Sequence, residues 1–139
     1  MLYTGSGFSI PAGLPSFAEL LVLVAREGGV AHLLGGGATS ADDASDTVRA
    51  VGSLGKDGMF ALQGNIVSAL GKRKAGALFT KHLQPPSPLP TEMAARLDCV
   101  RRTNFSFVVT QNWDNLLEKA GYQRCVPEAG LFITYQGGV

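Results

Sequence analysis

Two short segments of the 139-residue sequence hold residue types and spacings suited to gripping a phosphorylated ligand. The first is Thr4-Gly5-Ser6-Gly7-Phe8-Ser9, which follows a few strand-like residues and precedes a helix. Phosphate binding in such a place needs glycine where the backbone passes close to the ligand, with amide N–H groups turned to the anion. Gly13-Leu14-Pro15 adds a second constrained turn just before the helix. Taken alone, a Gly-Ser-Gly turn is more often only a turn. The second segment is Thr110-Gln111-Asn112-Trp113-Asp114-Asn115-Leu116-Leu117-Glu118, where a parallel strand ends and a helix begins. Ligands in open α/β sheets bind outside the carboxyl ends of strands, so the address suits a site. The competing role is structural: Asn112 or Asp114 caps the helix and Trp113 packs on it.

Together the two segments resemble the sirtuin superfamily, over a stretch from Gly5 to about Gly121. Leu116-Leu117-Glu118-Lys119-Ala120-Gly121 is similar to the helix that follows the family's Thr-Gln-Asn-x-Asp signature. The resemblance implies NAD as ligand or substrate. It places Gly5, Ser6, Gly7, Phe8, Ser9, Gly13 and Pro15 in cofactor binding, and Gln111, Asn112 and Asp114 around the nicotinamide and its ribose, with Asn112 as the catalytic residue. The family's deacetylases continue their Gly-x-Pro turn with Asp-Phe-Arg, whereas Ser16-Phe17-Ala18 stands here, so the acidic and Arg positions are lost. The Pro-Ser-aromatic turn into a Leu-rich helix, and the aromatic Trp113, are more similar to sirtuin-like NAD hydrolases. Deacetylases also carry a cysteine-rich zinc module; Cys99 and Cys125 are only two and widely separated, so no metal is expected.

The family's catalytic His, in a His-Gly pair after the second motif, has no counterpart between Asp114 and Val139. The only histidines are His32 and His82, and their positions read as structural. Residues Met1 to Thr4 are also short for a first strand. The sequence is therefore read as the front part of one sirtuin-like domain over 1–139, a Rossmann-like parallel sheet flanked by helices and incomplete at both ends. Its expected role is an NAD-consuming hydrolase cleaving the nicotinamide–ribose bond. The alternative is a non-catalytic or degenerate NAD-binding module, and residues 1–139 alone are expected to turn over little NAD. Deacetylation is a third reading, disfavoured by Ser16 and Ala18.

The elements that must position these residues follow from periodicity. Phe17, Leu20, Leu21 and Val24 mark a first helix, with Ser16-Phe17-Ala18-Glu19 as a capping box and Gly28-Gly29 as its stop. After a flexible stretch from Gly35 to Ser40, Asp42-Asp43 suit a helix start, with Ala44, Val48 and Val51 on its apolar face. Met59, Gln63, Ile66, Val67 and Leu70 mark a third helix, and Ala75, Leu78, Phe79 and His82 a fourth. Four prolines between Pro85 and Pro90 forbid regular structure. Thr91 then caps a fifth helix carrying Met93, Leu97 and Val100. Phe105 to Thr110 reads as a buried parallel strand, Asn115 to Ala120 as a short helix, and Leu131 to Tyr135 as a further strand.

Composition narrows the partners. Twelve Lys and Arg against eleven Asp and Glu give a formal net charge of +1, without a broad field for nucleic acid or an anionic membrane. Lys72-Arg73-Lys74 reads as a solvated helix end. Leu20 to Ala25 is the longest apolar run, far short of a membrane span, and the N-terminus lacks a secretory pattern. The expectation is an intracellular, cytoplasmic protein whose partner is NAD, with homo-oligomerisation left open.

Overall fold

The computed structural model describes residues 1–35, 44–110, 112, 114–125 and 133–137. It is α/β, with six α-helices and one small mixed sheet of four strands among the described residues. Its contacts divide the chain into two compact units, Met1–Leu14 with Leu83–Val139, and Pro15–His82.

The first unit holds the sheet. Strands β1 (Leu2–Thr4), β2 (Phe107–Thr110), β3 (Gln123–Arg124) and β4 (Ile133–Gln136) lie in the order β1-β2-β4-β3. β1 and β2 are parallel, with Leu2 opposite Val108 and Thr4 opposite Thr110. β4 runs antiparallel to both β2 and β3, so the sheet is mixed where a parallel one was expected. Chain length is the reason: only residues 125–132 separate β3 from β4, and a parallel crossover needs about a dozen residues or more. β4 must therefore turn back on β3, and it fills the place beside β2.

One face of this sheet is covered. Val108 and Tyr135, opposite each other, are fully buried there with Thr110. α5 (Thr91–Thr103) packs on it through Met93, Leu97 and Val100, and α6 (Leu116–Lys119) through Leu116 and Leu117. Each such side chain contributes about 1.5–3 kcal/mol by leaving water. On the opposite face Tyr3 is 57% and Phe107 52% exposed, so β2 is interior to the sheet but buried on one side only. β2 also starts later than Phe105. The chain leaves α5 through left-handed Asn104 (φ 51°), and the Phe105 N–H donates to Tyr122 Oη at 3.0 Å instead of to a neighbouring strand. The Tyr122 hydroxyl in turn donates to the Val100 carbonyl, fastening the end of α5 to the start of β2. Thr91 is the first helical residue of α5 rather than its cap. Pro90 takes the cap position with extended backbone (ψ 146°), and its carbonyl accepts from Ala94 N–H at 2.9 Å.

The second unit is helical: α1 (Phe17–Glu27), α2 (Ala44–Gly52), α3 (Gly55–Leu70) and α4 (Lys72–His82). α1 is its centre and buries Leu20, Leu21, Val24 and Ala25. The capping box forms in both directions: Ser16 N–H donates to Glu19 Oε2 at 2.6 Å, and Glu19 N–H to Ser16 Oγ at 3.3 Å. Ser16→Ala should lower the unfolding free energy by about 1 kcal/mol in urea denaturation. In α2 the inward residues are Thr47 and Val51, while Ala44 is exposed. Thr47 is tolerated there because Arg26 Nη2 donates to its hydroxyl at 3.3 Å. α3 buries Leu62 and Ile66, and α4 buries Ala75 and Phe79. Gly28 permits the approach of α3 to α1: a Cβ there would lie 2.7 Å from Leu70 Cδ1. Lys72, Arg73 and Lys74 are exposed at the start of α4. Residues 36–43, with the expected helix start at Asp42-Asp43, and Leu131 and Phe132 of the expected last strand lie outside the described residues.

His82 has a structural partner. Its Nε2 is 2.6 Å from Glu27 Oε2, and Lys81 pairs with Glu27 Oε1, so the end of α4 is tied to the end of α1. Lys81 first, then His82, hold the Glu27 carboxyl below its ordinary value of 4.5. A depressed carboxylate pKa contributes stability above the unfolded value and loses it as pH falls through the folded value. The thermal midpoint should therefore fall more steeply for the wild type than for Glu27→Gln once the pH drops below about 4.5. Parallel acid profiles in circular dichroism melts would remove the pair from the stability of this unit. Among the described residues no helix is long and apolar enough to cross a membrane.

Candidate functional site

Thr4 ends β1 and Thr110 ends β2, and the two are register partners in the parallel pair. The loops that leave these strands consequently emerge side by side. From β1 come Gly5 to Ser9; from β2 come Gln111 to Asp114. Gln111 and Trp113 lie outside the described residues. Thr110, almost fully buried, turns the second loop by accepting from Asn112 N–H through Oγ1 at 2.9 Å.

Asn112 joins the two loops. Its Nδ2 donates to the Gly5 carbonyl and to Ser9 Oγ, both at 2.8 Å. A carbonyl oxygen can only accept, so it is Nδ2 that faces Gly5 and Oδ1 that lies on the other side of the amide. No described residue donates to that oxygen, and Asn112 is half-buried. The Ser9 hydroxyl in turn donates to Asp114 Oδ2 at 2.5 Å. Asp114 Oδ1 accepts the Leu116 N–H at 3.1 Å, so the carboxylate also steadies the entry to α6. Ser9 is 4% and Asp114 8% exposed, which places a carboxylate and its hydroxyl partner out of water. The structure thus brings Gly5, Ser9, Asn112 and Asp114 into one network. Of the two capping candidates, Asp114 meets a helix amide, whereas the Asn112 side chain faces the glycine turn.

The glycine segment folds as two consecutive 3-10 turns, Ser6–Phe8 and Ile10–Ala12. Phe8 N–H closes the first on the Gly5 carbonyl at 2.9 Å. The second ends at Gly13 with φ 77°, a left-handed conformation that favours glycine. Gly5 and Gly7 differ from Gly13. Neither has a positive φ, and a Cβ on either would meet no atom within 4 Å. Packing among the described residues therefore leaves open space beside both. Pro15 is the first residue of the second unit and stands outside this network.

Sequence reasoning missed Arg96. From α5 its Nη1 donates to the carbonyls of Gly7 and Phe8, each at 3.3 Å, and its guanidinium carbon is 5.9 Å from the centre of the Phe8 ring. Glu92, one turn earlier, holds Nη2 at 3.3 Å. The only sequence signal was the Glu92–Arg96 spacing, which reads as an ordinary helix-surface pair. Two further hydroxyls lie buried in this unit, Thr4 Oγ1 and Tyr135 Oη, without a partner at hydrogen-bond geometry among the described residues. Burial pushes the Tyr135 phenol well above its ordinary range, and the nearby Glu118 carboxylate pushes it further.

This arrangement offers a buried carboxylate, an amide oxygen to which no described residue donates, and a glycine turn with room beside it among the described residues. Compared with models of known protein families, with curated proteins and with solved structures, the chain gives no match.

Proposed function

We propose that the Gly5–Ser9 turn and the Asn112–Asp114 loop form an NAD site, and that the chain carries the NAD-binding part of a hydrolase that cleaves the nicotinamide–ribose bond. The observation that supports this reading most is the Asn112 side chain bridging Gly5 and Ser9 at the carboxyl ends of the parallel strands. In the proposed reaction a water oxygen bonds to ribose C1′ as the C1′–nitrogen bond breaks. The bonding pair leaves on the ring nitrogen, nicotinamide departs neutral, and the water releases a proton to solvent. Such a leaving group needs little acid catalysis; the requirement is to stabilise positive charge on the ribose and place the water. Asp114 supplies negative charge in a water-poor place, and Asn112 Oδ1 can accept from the water or a ribose hydroxyl.

A second reading, NAD binding without turnover, is favoured by one observation. Both Asp114 oxygens already accept from the protein, one from the Ser9 hydroxyl and one from the Leu116 N–H. Calorimetric titration with NAD and an assay of nicotinamide release separate the readings. The hydrolase reading predicts a slow release by this chain that falls about 10²–10³-fold further in Asn112→Ala. Binding without release supports the module, and an absence of binding by the wild type overturns both.

A further inference from the structure

Arg96 is the one cation that contacts the glycine turn among the described residues, and it reaches there from a helix 88 positions away in sequence. It addresses carbonyls. In a planar trans peptide the C=O of one residue and the N–H of the next point in opposite directions. Anchoring the Gly7 and Phe8 carbonyls on a guanidinium therefore fixes two successive peptide planes, and with them the direction of the Ser9 amide, the Phe8 amide being committed to the Gly5 carbonyl. Charge-assisted donors hold more firmly than neutral ones, and a forked guanidinium constrains angle as well as distance. Phe8 underlies the cation and Glu92 steadies it from the helix side, so Arg96 is held at three points. Its side chain is 36% exposed, which leaves its field only partly screened at the turn.

We propose that Arg96 is a positioning residue of the site: it sets the peptide planes of the Gly5–Ser9 turn and offsets the charge of a pyrophosphate bound there. The inference rests on the NAD reading and adds to it the residue that selects pyrophosphate-bearing ligands. Neither segment singled out in the sequence contains a cation, so a dianionic linkage beside buried Asp114 needs compensation from another element. Arg96 supplies it.

The test titrates the wild type, Arg96→Met, Arg96→Lys and the control Arg101→Met with NAD, ADP-ribose and nicotinamide. Arg96→Met should weaken NAD and ADP-ribose about 10–100-fold and leave nicotinamide unchanged. Arg96→Lys keeps the charge, loses the fork and should fall between; it carries the test if the Met variant does not fold. Arg101, on the exposed side of the same helix with Asp98, should have no effect. Wild-type affinity for NAD in both Arg96 variants overturns the role of Arg96 while the NAD reading stands. An equal loss for all three ligands marks a merely structural role and also overturns it. A wild type that binds neither NAD nor ADP-ribose overturns the NAD reading, and this inference with it.

Discussion

Replacing Asp114 with alanine should lower the unfolding free energy of the sheet-containing unit by about 3 kcal/mol, because two buried donors lose a charged acceptor at once. Those donors are the Ser9 hydroxyl at 2.5 Å and the Leu116 N–H at 3.1 Å. Neither can turn to water without opening the site, since Ser9 is 4% exposed and Leu116 is fully buried. The loss spreads further, because Ser9 is also the acceptor for Asn112. Asp114→Asn should be milder, about 1 kcal/mol, as its amide oxygen still accepts one of the two donors and its Nδ2 can donate to Ser9. Trp113, the only tryptophan in the sequence, adjoins Asp114, so its fluorescence in a urea titration reports on this loop. Equal midpoints for wild type and Asp114→Ala would show that the carboxylate does not brace the two loops.

Gly7→Val should leave stability within about 1 kcal/mol of the wild type while weakening NAD at least about 100-fold. The two halves of this expectation have separate causes. A Cβ on Gly7 meets no described residue within 4 Å and the residue lacks a positive φ, so neither backbone conformation nor the described packing needs glycine there. If the turn receives a pyrophosphate, that same space is where the ligand passes closest to the backbone, and a branched side chain fills it. Gly13→Val is the contrasting variant: its left-handed backbone makes the cost structural, with or without ligand. A Gly7→Val protein that folds and binds NAD as well as the wild type would remove the turn from the site.

How far the sequence disclosed this arrangement depended on whether a feature is local. The capping box of α1 and the inward stripe Met93, Leu97 and Val100 of α5 are set by neighbours within one or two turns, and both stand where the residue pattern placed them. The loops at the ends of β1 and β2 were likewise legible as glycine and Asn/Asp signals next to strand-like runs. Features fixed by distant contacts were not. The direction of β4 depends on the short connection from β3, a two-residue strand that carries no periodicity of its own. The late start of β2 depends on Tyr122 capturing the Phe105 amide. Thr47 is turned inward in α2 by Arg26, which no propensity records. In the site, the segments were visible but the bonds between them were not: nothing in either segment says that the Ser9 hydroxyl donates to Asp114 or that Arg96 grips the turn.

The two loops are proposed to receive one ligand, NAD. The most direct measurement is an amide nitrogen–proton NMR titration of the isotope-labelled full chain with NAD. Binding of NAD by both loops should give saturable shifts that concentrate at the amides of Gly5, Ser6, Gly7, Phe8 and Ser9 and at Asn112 and Asp114, together with the Asn112 side-chain amide. No saturable shifts, or shifts confined to the helical Pro15–His82 unit, would contradict it.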